Sequence, residues 1–274
     1  MKVIEINNFY IDDSVKFMKR NILDNYIDLI ITSPPYDDLR KYNGFIFDYQ
    51  SMLKELYRVT KEGGVVVWVA GDATINGSET GTSFKHALYA KEVGFNLHDT
   101  MIYHKNNPPP TGGNNRYYQS FEYMFVLSKG KPKTFNPIIV NRRNKWNDKR
   151  TERYRAVTRN KDGNFAKKII PIKEMVKKQN TWTYVVSGGS STKDKIAHDH
   201  PAIFPEQLVL DHILSWSNEG DIVLDPMCGS GTVAKMAWLN KRNFIGIDIS
   251  EEYINNICKP RLSTYGWKTD ENLN

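Results

Sequence analysis

The chain of 274 residues predicts an α/β fold: a doubly wound, mostly parallel sheet with a smaller basic insert. Three observations carry that expectation. Short apolar runs alternate with segments of helical spacing along most of the sequence. The run "VVVWVA" (Val65–Ala70) is apolar without a break, as a strand covered on both faces should be. And "GDIVLDPMCGSGTVAKMAWLNKRNFIGIDIS" places strand, glycine-rich loop, helix and strand within about thirty residues, the length of one βαβ unit. Only Glu251 to Asn274 follow that unit, enough for a helix and a tail. The other strands must therefore come from the N-terminal half, and the sheet is assembled in permuted order.

The first buried strand is "YIDLIIT", residues 26–32, and it runs into "SPPY". Neither Pro34 nor Pro35 has an N–H for a strand ladder, and Pro34 drives Ser33 to extended dihedrals. The strand must stop at Thr32–Ser33 and a stiff elbow must follow. "FDYQSMLKELYRVT" carries Met52, Leu53, Leu56 and Val59 on one helical face and is expected to end at Gly63–Gly64. The central strand at 65–70 comes next. "FKHALYAKEVGF" predicts a helix closed by Gly94. "NLHDTMIYH" and "FEYMFVLSK" predict two strands, and the "KNNPPPTGGNNRYYQ" between them is too rich in Pro and Gly for regular structure. "PEQLVLDHILSWS" is helical, with an apolar stripe of Leu208, Val209, Ile213 and Trp216, and leads to the βαβ unit.

Charge sets one segment apart. The net charge is +7, yet residues 129–178 carry 17 Lys/Arg against 4 Asp/Glu, which leaves the rest of the chain negative. Trp146, Tyr154 and Phe165 are interleaved with these cations, the footprint of a phosphate-backbone binder. The low-complexity "SGGSSTKDK" reads as a return linker. The expected organisation is a core domain from residues 1–128 and 196–274, and a basic region at 129–195.

Composition excludes several classes. No apolar run approaches the ~18 residues of a membrane span, and "MKVIEINNFY" lacks the apolar core of a signal peptide. Cys228 and Cys258 are the only cysteines and form no C-x-x-C, which argues against a disulfide framework and a cysteine zinc site. "HDH" (His198–His200) offers too few ligands, so no metal is expected, and Cys228 reads as a small packing residue. The expected state is soluble and cytoplasmic.

The glycine loop carries the first chemistry. "GSGTVA" fits G-x-G-x-x-[GA] through Gly229, Gly231 and Ala234, after the strand "IVLD" and before a helix. Gly229 permits the tight turn, Gly231 lets a ligand approach the backbone, and the helix N-terminus offers N–H groups. Asp248, at the end of "NFIGID", stands where an acid can accept hydrogen bonds from ribose hydroxyls. The pattern predicts an adenosine-containing cofactor, either a dinucleotide or S-adenosylmethionine (SAM).

Taken together, "DPMCGSGT" (Asp225–Thr232) and "TSPPY" (Thr32–Tyr36) resemble the amino-group DNA methyltransferases of the beta-type order: catalytic motif, target-recognition region, cofactor loop. The resemblance covers most of the chain outside about 129–195. It implies a Rossmann-like, circularly permuted SAM-dependent methyltransferase fold, with the basic segment as target-recognition insert. "HPAIFPEQL" is similar to the family's cofactor-clasping segment, and "FYIDDS" to its short element near the cofactor adenine. Asp12 stands there in place of the usual Gly, and Met227 in place of a common Phe. The cofactor-binding residues so implied are Asp13, Thr32, His200, Pro201, Phe204, Asp225, Pro226, Met227, Gly229, Ser230, Gly231, Thr232 and Asp248. The catalytic residues implied are Ser33, Pro34, Pro35 and Tyr36.

An exocyclic amine is a poor nucleophile because its lone pair is delocalised into the ring. Ser33 Oγ and the Pro34 carbonyl are suitable acceptors for its hydrogens, fixed in advance by the prolines. Tyr36 can stack on a base drawn out of the duplex. The sulfonium of SAM is the methyl donor, and this chemistry requires no metal. Ser33 resembles the N4-cytosine members, whereas N6-adenine members more often carry Asp, so N4 of cytosine is expected and N6 of adenine is the alternative. Asp37, Asp38 and Arg40 suit either a substrate entrance or a solvated loop. A nicotinamide-dependent oxidoreductase would use the glycine loop but leaves "TSPPY" and the basic segment unexplained. A non-catalytic DNA-binding module leaves both motifs without a purpose. The expected partner is double-stranded DNA and not a membrane; the resemblance leaves room for a homodimer and a cognate restriction endonuclease.

Overall fold

The structure is a computed structural model, and it describes residues 4–35, 47–108, 110, 115–141, 153–171, 175–186 and 191–268. It contains two compact units, residues 1–136 with 180–274, and residues 137–179. The elements in chain order are β1 (Asn8–Ile11), α1 (Ser14–Asn21), β2 (Ile27–Thr32), α2 (Tyr49–Val59) and β3 (Thr60–Ala70). A small hairpin, β4 (Thr74–Ile75) and β5 (Ser78–Glu79), precedes α3 (Thr82–Val93), β6 (Asn96–Lys105) and β7 (Phe121–Ser128). The smaller unit holds β8 (Ile139–Asn141), β9 (Arg153–Arg159), β10 (Phe165–Pro171) and β11 (Met175–Lys177). The chain then forms β12 (Thr181–Tyr184), α4 (Glu206–Trp216), β13 (Ile222–Asp225), α5 (Thr232–Leu239) and β14 (Asn243–Asp248). A π-helical turn, Tyr253–Cys258, and α6 (Lys259–Ser263) close it.

The larger unit is one eight-stranded sheet in the order β1-β14-β13-β2-β3-β7-β6-β12. Five of its pairings are parallel; β7 alone runs against its neighbours β3 and β6. The permuted, mostly parallel sheet read from the sequence is therefore the observed one. Its centre is apolar throughout: Leu29, Ile30, Ile31, Val66, Val67, Trp68 and Leu224 have no exposed surface. Helices close the faces because each buries a stripe, as α2 does with Met52, Leu53, Leu56 and Val59. Caps fix their starts: Asp13 accepts from Lys16 N at 2.9 Å for α1, and Asp48 accepts from Gln50 and Ser51 N–H at 3.1 Å for α2.

Connections leave β13 and β2 in opposite directions. From β13 the chain crosses through α5 to β14 on one side; from β2 it crosses through α2 to β3 on the other. The adjacent carboxyl ends of these two strands are thus a topological switch point, where an open α/β sheet forms a crevice.

Three sequence expectations change. Helix α2 does not reach Gly63–Gly64; it ends at Val59 and passes directly into β3. Both glycines lie inside that strand, Gly63 at φ +81°, where the pairing with β2 shifts register between Ile27 and Leu29. A Cβ on Gly64 would fall 2.8 Å from Thr60 Cγ2, so the irregular ladder needs glycine there. Second, not every remaining strand comes from the N-terminal half, since β12 pairs with β6 at the sheet edge. Third, the second compact unit is narrower than 129–195. Lys129 Nζ donates to Asn25 Oδ1 and Tyr57 O at 2.8 Å, and Asn136 N to Ser215 O at 2.9 Å, which ties 129–136 to the larger unit. Most of "PPPTGG", residues 36–46, and the stretch with Trp146 lie outside the described residues. Among the described residues no helix is long and apolar enough to cross a membrane.

Candidate active site

A cavity of about 1300 Å³ opens at the switch point, on the carboxyl edge of the sheet. That exceeds the ~300–1,000 Å³ that usually holds one small ligand. Its walls include Ser33, Pro34 and Pro35 from the elbow after β2 and Asp13 from the start of α1. They also include His200, Pro201 and Phe204 from the segment before α4, and Asp225, Pro226, Met227, Gly229, Ser230, Thr232 and Asp248 from the βαβ unit. Fourteen of the seventeen residues singled out from the sequence therefore share one space.

Tyr36 lies outside the described residues. Thr32 is fully buried and does not line the cavity; its Oγ1 donates to Asp225 Oδ1 at 2.9 Å, across the β2–β13 switch. Gly231 is not among the residues that line the cavity. A Cβ there would lie 3.1 Å from Cys258 Sγ, so the missing side chain admits the C-terminal helix. At Gly229, by contrast, a Cβ would lie 2.8 Å from His200 Nε2, and the residue has φ +49°. Gly229 is where the loop and the clasping segment close on each other.

The acids are held by the backbone. Asp248 Oδ2 accepts from Gly229 N at 2.8 Å, and its Oδ1 from Ser250 N at 2.9 Å. Burial pushes its carboxyl up against these bonds. Ser14 donates to the Pro226 carbonyl, which brings the "FYIDDS" element onto the glycine loop. Burial raises Asp225 to about 7, opposed by the hydrogen bonds from Met227 N–H and Thr32, with Asp248 adding to the rise. A carboxyl raised on folding keeps a proton that the unfolded chain loses between about pH 4 and 7. Its contribution is thus most favourable at low pH and is lost as pH rises through that window. Relative to Asp225→Asn, the wild type is expected to lose about 1.4 kcal/mol of stability per pH unit between roughly pH 5 and 6.5, and nothing further above about 7. Urea unfolding of both proteins at several pH values checks this; parallel stability curves would refute it.

Behind the glycine loop sits a charged network with no sequence signal. Arg261, 1% exposed, donates to Ser230 O at 2.8 Å, Asp194 Oδ2 at 2.7 Å and Glu206 Oε1 at 2.6 Å. Lys235 reaches the same two acids at 2.8 and 2.7 Å. Burial alone would raise Asp194, but the bonds from Lys235, Tyr265 and Arg261 outweigh it and hold its carboxyl at about 2. Two cations on two acids make a closed, neutral cluster, the condition under which buried charge is tolerated. The cluster ties the loop to the segment that carries His200.

The cavity is also lined by Tyr103, Lys105, Gln119 and Glu122, and Lys105 donates to Glu122 Oε1 at 2.6 Å. From the sequence Glu122 reads as a structural residue at the start of a strand, and Tyr103, Lys105 and Gln119 carry no signal that sets them apart.

The fold and the site define a cofactor-dependent enzyme of the permuted α/β type. A profile of the N6/N4 DNA methylase family matches residues 27–259, and the chain belongs to that family. It is a SAM-dependent DNA methyltransferase of the amino-group class. It is 57% identical over 251 residues to the orphan methyltransferase M.BamHII of Bacillus amyloliquefaciens, covering 90% of this chain and 93% of that protein. It is 30% identical to the type II methyltransferase M.HpaI of Haemophilus parainfluenzae, over 92% of this chain and 73% of that one. Among solved structures, the cytosine-N4-specific PvuII DNA methyltransferase superposes with a TM-score of 0.65 at 19% identity, over 96% of this chain and 92% of that chain. The M1.HpyAVI–SAM complex gives 0.61 at 23%, over 93% and 98%.

Proposed function

We propose that the protein methylates the exocyclic N4 amine of cytosine in double-stranded DNA, on a base extruded into the cavity. The observation that carries the reading is the position of Ser33. It stands first in the elbow, at the switch point, in one cavity with the cofactor loop. Ser at this place resembles the N4-cytosine members of the family.

The residues suit SAM. Gly229 lets the loop close under the ligand, and Asp248 sits where ribose hydroxyls would meet a carboxylate. Asp225 is a buried acid that a cationic group would stabilise in its ionised form. Asp13, His200, Pro201, Phe204, Pro226, Met227, Ser230 and Thr232 would form the rest of its walls, while Thr32 and Gly231 would act from behind, Thr32 by holding Asp225 and Gly231 by leaving room for Cys258. When bound, SAM supplies a methyl group on a sulfonium. Ser33 Oγ and the Pro34 carbonyl accept the hydrogens of the target amine and turn its lone pair toward that methyl. Pro34 and Pro35 keep these acceptors from reorganising during transfer. Tyr36 stacks on the extruded ring, and the basic region gives affinity for the phosphates.

The test is base analysis. Expression in a host without DNA methylation, followed by hydrolysis to nucleosides, is expected to yield N4-methylcytosine. N6-methyladenine alone would overturn the choice of base.

A further inference from the structure

The cavity has a second polar wall, across the sheet from the elbow. In the order β2-β3-β7-β6, Ile31 pairs with Val67, Val69 with Met124 and Glu122 with Tyr103. Directly opposed residues share a face of a sheet, and so do alternate residues along a strand. The face that carries Ile31 therefore also carries Glu122, Tyr103 and Lys105. Ser33, held extended by Pro34, continues that face past the end of β2. Glu122 stands two strands from β2, roughly 10 Å at the usual spacing. Between them β3 ends at Ala70, and Gly71, which has no side chain, lines the cavity there. The space is a slot, with the elbow on one wall and Tyr103, Glu122 and Lys105 on the other.

This second wall supplies donors. Lys105 Nζ donates to Glu122 Oε1 at 2.6 Å, and both side chains keep some exposed surface, 22% and 16%. An ammonium carries three donors, and Glu122 takes one of them. Tyr103 is only 4% exposed, and its Oη has no hydrogen-bond partner among the described residues. Burial pushes this phenol up and the Glu122 carboxylate adds to the rise, so the hydroxyl keeps its proton and remains a donor. The Lys105 ammonium lies 5.8 Å from the Tyr103 ring centroid, which makes the two donors neighbours.

We propose that Tyr103 and Lys105, with Glu122 holding Lys105 in place, read the ring of the target cytosine at N3 and O2. With the amine at the elbow, the rest of the Watson–Crick edge extends along the slot toward β7 and β6. N3 and O2 are both acceptors, and the two protein groups are both donors. Adenine offers N1 in place of N3 but a C–H in place of O2, so one buried donor would be left unpaired. A site built to hydrogen-bond a group rejects an analogue lacking it far more strongly than shape alone does. The inference rests on the cytosine reading proposed above and adds the residues that select the base.

The test uses the full-length protein, tritium-labelled SAM and DNA from a host without methylation, with the products separated as nucleosides. Y103F is expected to lower kcat/KM for DNA about fivefold or more, and K105M about 10- to 100-fold. The SAM dissociation constant, measured by calorimetry, should stay within about twofold of wild type in both. In Y103F/K105M the ratio of N4-methylcytosine to N6-methyladenine label is expected to fall, because cytosine loses two bonds and adenine at most one. A purely structural Lys105–Glu122 pair predicts no effect of Y103F, since Tyr103 Oη bonds to none of the described residues. If K105M does not fold, Y103F decides the question, because it removes one oxygen and no charge. Y103F at the wild-type kcat/KM would overturn the proposal, and so would equal losses of both labels in the double variant. Wild type that yields N4-methylcytosine while both single variants match it would remove this inference alone. N6-methyladenine alone from wild type would remove the choice of base, and this inference with it.

Discussion

Gly229→Val is expected to weaken SAM binding at least about 100-fold in a protein that still folds. The residue has φ +49°, a left-handed conformation that costs an L-amino acid roughly 1–2 kcal/mol and a β-branched one more. A Cβ would also lie 2.8 Å from His200 Nε2 and 2.9 Å from Cε1. The imidazole cannot yield freely, because Ala202 N–H donates to its Nδ1 at 3.1 Å and Tyr253 packs against it at 4.5 Å. The glycine loop and the clasping segment must therefore move apart, and both are cavity walls. A 100-fold loss corresponds to about 2.7 kcal/mol, within reach of strain and displacement together. Calorimetric titration with SAM, alongside a thermal melt, measures both quantities. Affinity within tenfold of wild type in the folded variant would show that the loop does not close on the cofactor there.

Ser33→Ala should act on the other half of the reaction. The SAM dissociation constant is expected to stay within twofold, while the single-turnover rate of methyl transfer falls by about 10² to 10³. That is the usual effect of deleting one preorganised polar partner of a transition state. The side chain follows Thr32, which is anchored to Asp225, and precedes the buried Pro34, so its removal leaves the surrounding backbone held. A rate within fivefold of wild type, or a loss seen only in SAM affinity, would remove Ser33 from the chemistry.

Much of this architecture was legible because strong local patterns coincide with the sheet. The nearly continuous apolar run at 27–32 and the unbroken one at 65–70 became β2 and β3, and the βαβ unit appeared where its glycines and apolar strands lie. The late position of that unit was enough to require a permuted sheet. What sequence could not show depended on contacts between distant residues. Gly63–Gly64 looks like a helix stop, yet serves an irregular strand ladder whose partner is β2. Gly231 fits a ligand-approach motif, but its neighbour is Cys258. Arg261, Lys235, Asp194 and Glu206 each resemble ordinary surface charges until four separate segments bring them together. The strand "TWTY" is short and follows the basic segment, so only its pairing with β6 reveals it.

The hydrogen bond from Thr32 to Asp225 joins two points 193 positions apart in the chain. It gives the proline elbow and the glycine loop a common datum. A drift of β2 along its neighbour would carry Ser33 and the Asp225 carboxyl out of alignment in the same step. On the proposed assignment, tolerances in the two halves are not independent: the distance between amine and methyl would be set once, by the frame, and not separately by each ligand's own contacts.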